Sequence, residues 1–488
     1  HADLVDEDPH ALGARDRRGK LAQRLAHQPR LHAGKAVAHL AFKLRLRRER
    51  GHGIDHQNVD GAGTHQRVGN LQRLLTRVGL ADQQVINIHA QLGGVLRVQR
   101  VLGIDERTHA TELLRFGDGV QRLHYLSVPP KAAEAVITML EEADLVERSR
   151  VVMEKPFGTD LDSAVRLNSF VHETFDESQI FRIDHFLGKE AAQNILAFRF
   201  ANGLFEPIWN RNFIDHIQID IPETLGLDAR ANFYESTGAF KDMVVTHLFQ
   251  VMAFVVMEPP TALEPRAISE EKNKVFRSML PIDVRKVVRG QYTGYREEDG
   301  VARDSDTETF VALEVGIDNW RWAGVPVYLR TGKKMAEGQR IVSIAFKEAP
   351  RTMFPAGSGV GAQGPDHLTF DLADSSKISL SFYGKRPGPG MKLEKLSMQF
   401  STQETEYVDD VLEAYERLIL DAMRGDHTLF TTAQGIESLW ERSAPLLVDP
   451  PPVKMYQPGT WGPNAIHQLI APHAWRLPFE RVWREKKP

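Results

Sequence analysis

The segment Arg182–Glu190 (RIDHFLGKE) concentrates side chains that can bind an anion. His185 and Lys189 lie four residues apart, so a helix would place them on one face. An imidazole N–H and an ammonium group on one face suit a phosphate group. Asp184 would project about 100° away, where it can serve a different partner. The alternative is a helix start with solvated charges, but Gly188 weighs against it, because glycine inside a helix costs about 1 kcal/mol.

A second candidate lies in Tyr234–Met257 (YESTGAFKDMVVTHLFQVMAFVVM), which predicts a helix over Thr237–Met257. The helix is apolar nearly all round, so we expect it to be buried. Asp242, His247 and Gln250 interrupt its apolar surface. A lone buried histidine is commonly a hydrogen-bonded core residue. Paired with a carboxylate from another part of the chain, it has the usual form of a general base.

A third candidate is Lys155, in the motif EKPFG, at the carboxyl end of a predicted strand. In open α/β sheets the carboxyl end of a strand is where ligands bind. A lysine at that position can meet a phosphate or a substrate hydroxyl group. The alternative is an exposed lysine before a structural turn, and this motif taken alone does not decide between the two.

Two strands and a helix are predicted around Lys155. Tyr125–Pro130 (YLSVPP) indicates a short strand ended by prolines, Lys131–Val146 an amphipathic helix, and Ser149–Lys155 a second buried strand. This order at this spacing is typical of a βαβ unit with a parallel sheet. We therefore predict an α/β portion over residues 122–206.

Beyond about residue 207 the pattern changes to long alternating strands. We predict strands at Ile217–Ile221, Phe310–Val315, Ile341–Phe346, Lys377–Phe382 and Lys395–Phe400, and helices at Thr237–Met257 and Val408–Arg424. Alternation with few helices between the strands predicts a large antiparallel sheet with one solvated face. Residues 207–488 are therefore predicted to form an α+β domain.

The beginning of the chain differs in composition from the rest. Residues 1–122 contain 20 basic and 13 acidic side chains, no methionine and only two aromatics, Phe42 and Phe116. Aromatic side chains dominate core burial, so this segment is poorly equipped to form a core. We predict that residues 1–121 are weakly specified or disordered and do not form the first βαβαβ half of a dinucleotide fold. An RNA-binding arm at Arg45–Arg50 and a metal site from the scattered histidines are the alternatives, and each lacks the pattern it needs.

The overall composition excludes several classes of protein. The 488 residues carry a net charge of −4 and contain no cysteine, which excludes disulfides, thiolate zinc sites, iron–sulfur clusters and cysteine nucleophiles. The near-balanced charge argues against a dedicated nucleic-acid binder. The longest apolar run, Leu248–Met257, is about half the ~20 residues that a membrane helix needs. We expect a cytoplasmic protein that binds neither nucleic acid nor a membrane, and we predict no metal site.

Eight segments from about residue 122 onward resemble, in the same order, the glucose-6-phosphate dehydrogenase family. They are YLSVPP, EKPFG, RIDHFLGKE, FANGLFEPIWNR, TGAFKDMVVTHLFQ, IDNWRWAGVPVYLRTGKKM, EAYERLILDAMRGDHTLF and YQPGTWGP. RIDHFLGKE matches the family signature RIDHYLGKE with one tyrosine-to-phenylalanine change, at Phe186. So many ordered motifs are a specific signal for this family.

The resemblance implies an oxidoreductase that uses NADP to oxidise β-D-glucose 6-phosphate at C1 to 6-phosphogluconolactone, the first step of the pentose phosphate pathway. It implies that His247 is the general base that takes the C1 hydroxyl proton and that Asp184 is its orienting carboxylate. The other implied site residues are His185 and Lys189 for the phosphate, Lys155 between sugar and cofactor, Glu223 and Asp242 for sugar hydroxyl groups, and Lys333 as a further substrate lysine. A second basic residue usually follows that lysine, but Arg340 lies two residues from the expected spacing and is not assigned.

The resemblance does not extend to residues 1–121. The family opens with a strand and a Gly-rich turn of the kind G-x-x-G-D-L, and neither Gly51-His-Gly53 nor Gly61-Ala-Gly63 fits it. Residues 122–206 are then the remaining part of an NADP-binding, Rossmann-like domain, and residues 207–488 a substrate and dimerisation domain. A wrong reading frame or strand, or a chimeric gene, would explain a first segment of ordinary length and foreign composition. The alternative function is a catalytically silent sugar-phosphate-binding or misfolded chain. NAD against NADP preference stays open, and the family implies a homodimer or homotetramer.

Overall fold

The computed structural model describes residues 121–128, 130–227, 230–361, 364–373, 376–401 and 412–476. These residues form two compact units. The first contains the described residues up to Glu154, with Thr174–Phe181 and Ile419–Arg424; the second contains Lys155–Glu173, Arg182–Leu418 and the described residues from Gly425 onward. The expectations for residues 1–121, including an altered first half of the cofactor domain, lie outside the described residues.

The first unit is built on a three-stranded sheet with the order β1-β2-β3. Its elements are β1 (Arg122–Leu126), α1 (Pro130–Glu142), β2 (Ser149–Met153) and β3 (Ile180–Arg182). Strands β1 and β2 pair in parallel, which confirms the predicted βαβ unit. Helix α1 begins on a proline, whose missing N–H is no loss at the first helical position.

The second unit is built on a nine-stranded sheet with the order β11-β10-β9-β8-β4-β7-β6-β5-β12. Its strands are β4 (Ile214–Pro222), β5 (Val287–Tyr292), β6 (Phe310–Val315), β7 (Val327–Gly332), β8 (Ile341–Phe346), β9 (His367–Asp371), β10 (Lys377–Lys385), β11 (Leu393–Ser401) and β12 (Lys454–Tyr456). Every strand predicted beyond residue 207 is present, and β6 and β8 have the predicted bounds.

The prediction of an antiparallel sheet is wrong at two strand pairs. Strand β4 pairs in parallel with β7, and β12 pairs in parallel with β5, so the sheet is mixed. The prediction of one solvated face is wrong for the central strands, since every residue of β5 and β7 is buried. Alternate side chains of a strand point to opposite faces, so both faces are covered there. The outer strand β11 also differs from the prediction, because five consecutive residues, 396–400, are exposed and both of its faces are therefore solvated.

The remaining helices alternate with these strands along the chain. They are α2 (Leu161–Thr174), α3 (Glu190–Phe200), α4 (Ala231–Ala239), α5 (Phe249–Val256), α6 (Pro265–Ser278), α7 (Ala414–Arg424), α8 (Ala433–Val448) and α9 (Ile466–Ile470). The helix predicted to begin at Val408 is observed from Ala414, and residues 402–411 lie outside the described part of the chain.

The predicted helix Thr237–Met257 is not a regular α-helix. A π-helical segment, Phe240–Leu248, lies between α4 and α5. Gly238 precedes it with φ 66° and ψ 175°, and a Cβ atom there would lie 2.4 Å from a carboxylate oxygen of Glu308, so glycine is required. Ala231–Val256 is long and apolar enough to cross a membrane, but 83% of its apolar window is buried inside the protein, as in a core helix.

Candidate active site

Residues 184–189 form a turn, not the helix predicted to carry His185 and Lys189. The Asp184 carboxylate accepts a hydrogen bond from the Phe186 backbone N–H (2.9 Å), which favours a turn over a helix at this point. Helix α3 begins only at the next residue, with Lys189 as its N-cap. The turn, not a shared helical face, therefore sets the positions of both predicted phosphate ligands.

Gly188 within this turn permits a close approach of α7. A Cβ atom at Gly188 would lie 2.6 Å from the Ala414 carbonyl oxygen and 2.9 Å from a methyl carbon of Leu418. Real Cβ atoms do not tolerate such distances to backbone, so any other residue would push the two segments apart. The glycine is thus explained by packing.

The turn brings Asp184 to His247, which the π-helical segment presents. His247 Nδ1 lies 2.6 Å from Asp184 Oδ1, and the two side chains are 1% and 2% exposed. An Nδ1–H that donates to the carboxylate leaves Nε2 as the acceptor of the ring. π-helical segments recur at functional sites because they displace side chains from the regular helical positions. This is the arrangement that a general base requires.

Lys155 faces the free edge of this imidazole. Its Nζ lies 2.7 Å from His247 Nε2 and 2.9 Å from both the carboxylate and the carbonyl oxygen of Asp242. Burial alone would raise the pKa of Asp242, but the ammonium groups of Lys155 and Lys333 outweigh it and lower that pKa to about 2. Asp242 is therefore an anion at any working pH, and Lys155 bridges it to the imidazole.

Glu223 and Lys333 form an ion pair at the carboxyl ends of two neighbouring strands. Glu223 follows β4 and Lys333 follows β7, and because these strands are parallel their carboxyl ends meet at one edge of the sheet. The Glu223 N–H donates to the Gly332 carbonyl oxygen (2.8 Å), which fixes the register. Tyr234 lies beside them, with the Lys333 ammonium 5.7 Å from its ring centre.

His185 lies against the imidazole of His247, with ring centres 4.6 Å apart and the rings nearly perpendicular. Burial, followed by electrostatic interactions with His247, Lys155, Lys189 and Arg340, holds the pKa of His185 well below its ordinary value. The ring is therefore neutral and can donate one N–H. An anion bound among these cations would be strongly favoured.

The structure brings together seven of the eight predicted residues through direct contacts or charge interactions, and places the eighth, Glu223, with them through Lys333. Sequence reasoning missed three neighbours. Arg340 acts electrostatically on His185; Tyr415 stacks on the His185 ring, with ring centres 6.1 Å apart; and the buried Tyr234 hydroxyl has no hydrogen-bond partner among the described residues. Tyr234 opens the second candidate segment and Tyr415 lies in the motif EAYERLILDAMRGDHTLF, but the sequence analysis gave neither residue a role.

Two groups of aspartate and histidine among the described residues have spacings that could hold a metal ion: Asp184, His185 and His247, and Asp215, His216 and His473. In the second group Gln218 donates to His216 Nε2 (2.9 Å) and to the Ala474 carbonyl, and accepts from the Arg476 N–H. This orientation leaves the proton of His216 on Nδ1, where it donates to Asp215 (2.9 Å). A protonated nitrogen cannot bind a metal ion. Hydrogen bonding therefore accounts for the close spacing of the side chains in this group. The absence of a metal site stays a prediction.

Comparison with known proteins places the chain in one family. The model of "Glucose-6-phosphate dehydrogenase, C-terminal domain" matches residues 196–484, and that of "Glucose-6-phosphate dehydrogenase, NAD binding domain" matches residues 99–194. A glucose-6-phosphate 1-dehydrogenase of Rhizobium meliloti is 42% identical over 381 residues, which cover 74% of this chain and 76% of the relative. The family models and the relatives define a dehydrogenase with a nicotinamide-dinucleotide-binding domain.

Solved structures agree with this class. A glucose-6-phosphate 1-dehydrogenase from Mycobacterium avium is 31% identical, with a TM-score of 0.72, over 93% of this chain and 97% of that one. A glucose-6-phosphate dehydrogenase in complex with its substrate glucose-6-phosphate is 27% identical, with a TM-score of 0.70, over 87% of each chain. The chain belongs to the glucose-6-phosphate dehydrogenase family. The NAD-binding match begins at residue 99, upstream of the first motif that carried the resemblance.

Proposed function

We propose that this chain oxidises glucose 6-phosphate at C1 and reduces NADP. The observation that carries the proposal is the buried His247–Asp184 pair. The unprotonated Nε2 of His247 faces Lys155, beside a cluster of cationic groups. The family and its relatives, which are dehydrogenases, support it. A catalytically silent sugar-phosphate binder is not favoured, because the intact base pair would then serve no purpose.

The first role of the site is to hold the substrate by its phosphate group. Neutral His185 donates one N–H, and Lys189 and Arg340 supply positive charge. Charge-assisted hydrogen bonds to a phosphate are worth about 1.5–3 kcal/mol each. Glu223, Asp242 and the Tyr234 hydroxyl then face the sugar hydroxyl groups, with Lys333 neutralising the two carboxylates.

The second role is to remove the C1 hydroxyl proton. The hydroxyl takes the place of the Lys155 ammonium as the donor to His247 Nε2, and the ring accepts its proton as the C1–O bond becomes double. Asp184 stabilises the resulting imidazolium and holds the ring in the tautomer with a free Nε2. A positioned base of this kind contributes about 10²–10⁴ in rate.

The residues present fit a dinucleotide cofactor. Lys155 lies two residues after Met153, the last residue of β2, and the carboxyl edge of a parallel sheet is where dinucleotides bind in open α/β folds. Lys155 would hold the cofactor next to the sugar. When bound, the nicotinamide would accept the hydride of the C1–H bond, while His247 takes the proton of the hydroxyl O–H bond, so the two bonds that break at the hemiacetal centre are both accounted for. We also propose a preference for NADP over NAD, a homodimeric or homotetrameric assembly and a cytoplasmic location. The family resemblance implies each of these.

The proposal is tested with the full chain, by following reduced nicotinamide absorbance. We expect reduction that requires glucose 6-phosphate, is much slower with free glucose, and is faster with NADP than with NAD. Equal rates with glucose and glucose 6-phosphate would contradict the phosphate assignment. A well-folded chain with no reduction under any of these conditions would contradict the proposed reaction.

A further inference from the structure

A buried lysine outside the assigned site lies on helix α6. Lys272 is 3% exposed, although lysine is almost never fully buried without a partner. Its Nζ has no hydrogen-bond partner among the described residues and lies 5.5 Å from the centre of the Phe254 ring. The next lysine of the helix, Lys274, is different: it is exposed and pairs with Glu271 at 2.7 Å.

The surroundings of Lys272 are polar but mostly uncharged. The side chain lines a narrow cleft. The other residues of this cleft are Gln250 of α5, Ser269, Asn273 and Phe276 of α6, and Phe430, Thr431 and Thr432 from the segment before α8. None of these residues carries a charge. Glu271 on the same helix pairs with Lys274, and its second carboxylate oxygen is buried with no hydrogen-bond partner in the part of the chain that the structure describes. The anion whose charge acts on Lys272 is Asp184.

Asp184 has a matching deficit. Its Oδ1 accepts from both His247 Nδ1 and the Phe186 N–H, whereas its Oδ2 is buried with no hydrogen-bond partner among the described residues. A buried carboxylate with one unpartnered oxygen is costly unless a cation compensates it. Lys272 Nζ and Asp184 Oδ2 are thus a buried ammonium nitrogen and a buried carboxylate oxygen that attract each other, and neither has a hydrogen-bond partner among the described residues. The cleft of Lys272 also reaches the backbone next to Asp184, because Thr431, which lines it, donates its N–H to the carbonyl oxygen of Arg182 (3.3 Å), two residues before Asp184.

We propose that Lys272 is a positioning residue of the reaction, because its ammonium is the counter-charge that keeps Asp184 ionised and oriented toward His247. This inference rests on the proposed function. Without the ammonium, Asp184 relieves its buried charge by taking a proton. A protonated Asp184 donates to His247 Nδ1 and so moves the ring proton to Nε2. That tautomer cannot accept the C1 hydroxyl proton.

The charge of Lys272 itself is sensitive to pH. Burial lowers the pKa of Lys272 to about 8, and the attraction of Asp184 opposes that shift. The counter-charge is therefore half present at about pH 8, nearly complete at clearly lower pH, and lost as the pH rises above that value. Activity should decline on the alkaline side for this reason, and an arginine, which stays charged to much higher pH, should remove the decline.

The test uses the full chain with K272M, K272Q and K272R, and K274M as a matched control on the same helix. We expect K272M and K272Q to lower kcat at neutral pH by about tenfold or more, with KM for glucose 6-phosphate changed less than about twofold. The acid limb of the kcat profile should move to higher pH. K272R should restore most of kcat and extend activity to higher pH, and K274M should behave as the wild type.

A purely structural role would give a different pattern. A lower melting temperature with unchanged kcat and pH profile in the surviving folded enzyme would overturn the proposal, as would a K272R variant that keeps the wild-type alkaline decline. If K272M and K272Q fail to fold, the alkaline pH profile of K272R still tests the proposal. Nitrogen-15 NMR of the His247 ring, assigned with H247N, tests the tautomer without any turnover: Nδ1–H in the wild type and a changed state in K272M are expected. An unchanged ring state would refute the inference even if the chain proved not to be a dehydrogenase.

Discussion

Replacement of Asp184 by asparagine changes the charge of the proposed base pair and little else. Asp184 Oδ1 accepts from the Phe186 N–H at 2.9 Å as well as from His247 Nδ1 at 2.6 Å. The backbone donor therefore keeps the amide oxygen of D184N facing the imidazole, and the Nδ1–H tautomer survives. What is lost is the anion that stabilises the imidazolium formed during proton transfer.

The expected magnitude follows from the change in hydrogen-bond class. A hydrogen bond to a charged group is worth about 1.5–3 kcal/mol and a neutral one about 0.5–1.5 kcal/mol, a difference of about 1–2 kcal/mol. This corresponds to a fall in kcat of roughly 5- to 30-fold. The imidazolium loses its anionic partner, so the ring stays neutral to lower pH and the acid limb of the kcat profile should move downward.

Steady-state kinetics over a range of pH, with glucose 6-phosphate and NADP, measure both effects. D215N is a matched control, since Asp215 makes a similar contact with His216 Nδ1 (2.9 Å) outside the site. An unchanged kcat in D184N, or an acid limb that moves upward, would refute this account of Asp184. A D215N variant as impaired as D184N would show that loss of any such pair disturbs the fold.

Three further predictions concern the base, the phosphate site and the backbone. H247N should lower kcat by about 100-fold or more with a modest change in KM; an unchanged kcat would make His247 a core histidine. K189A and H185A should each raise KM for glucose 6-phosphate by about 10- to 100-fold and leave KM for free glucose nearly constant; equal effects on both sugars would refute the phosphate assignment. G238A should destabilise the fold by about 1–3 kcal/mol in thermal unfolding, because its Cβ would meet Glu308 at 2.4 Å in a left-handed backbone. G357A, with φ +76° and no atom within 4 Å of the added Cβ, should cost less, and an equal cost would show that the Glu308 contact is unimportant.

Much of the fold could be predicted because alternation and burial are local signals. Strands β6 and β8 have the predicted bounds, and the βαβ unit is present. Parallel pairing of β4 with β7 could not be predicted, because it depends on a connection of more than a hundred residues that crosses other strands. That pairing is what places Glu223 next to Lys333, so the site depends on a non-local feature.

The chemistry of the site was easier to find than its geometry. His247 and Asp184 could be paired only through the family resemblance, since 63 residues separate them and no local pattern links them. The turn at residues 184–189 was mistaken for a helix because the four-residue spacing of His185 and Lys189 fits both. Arg340 was set aside because its spacing was unusual, although its charge acts on His185 in the folded protein.

The π-helical segment was also beyond the reach of sequence reasoning. The apolar pattern over Phe240–Leu248 is compatible with an α-helix, and the change in winding follows from the Gly238 backbone and the Glu308 carboxylate, which accepts the Phe240 N–H at 3.0 Å. A residue 68 positions away thus helps to set the local helix type. Local propensity gives no sign of such a contact.

The pH dependence of kcat/KM for glucose 6-phosphate, measured side by side in the wild type and H247N, tests the central claim most directly. That claim is that His247 Nε2 takes the C1 hydroxyl proton. The account predicts an acid limb that reports one proton in the wild type and is absent from the residual activity of H247N. The same acid limb in both proteins would show that another group is the base.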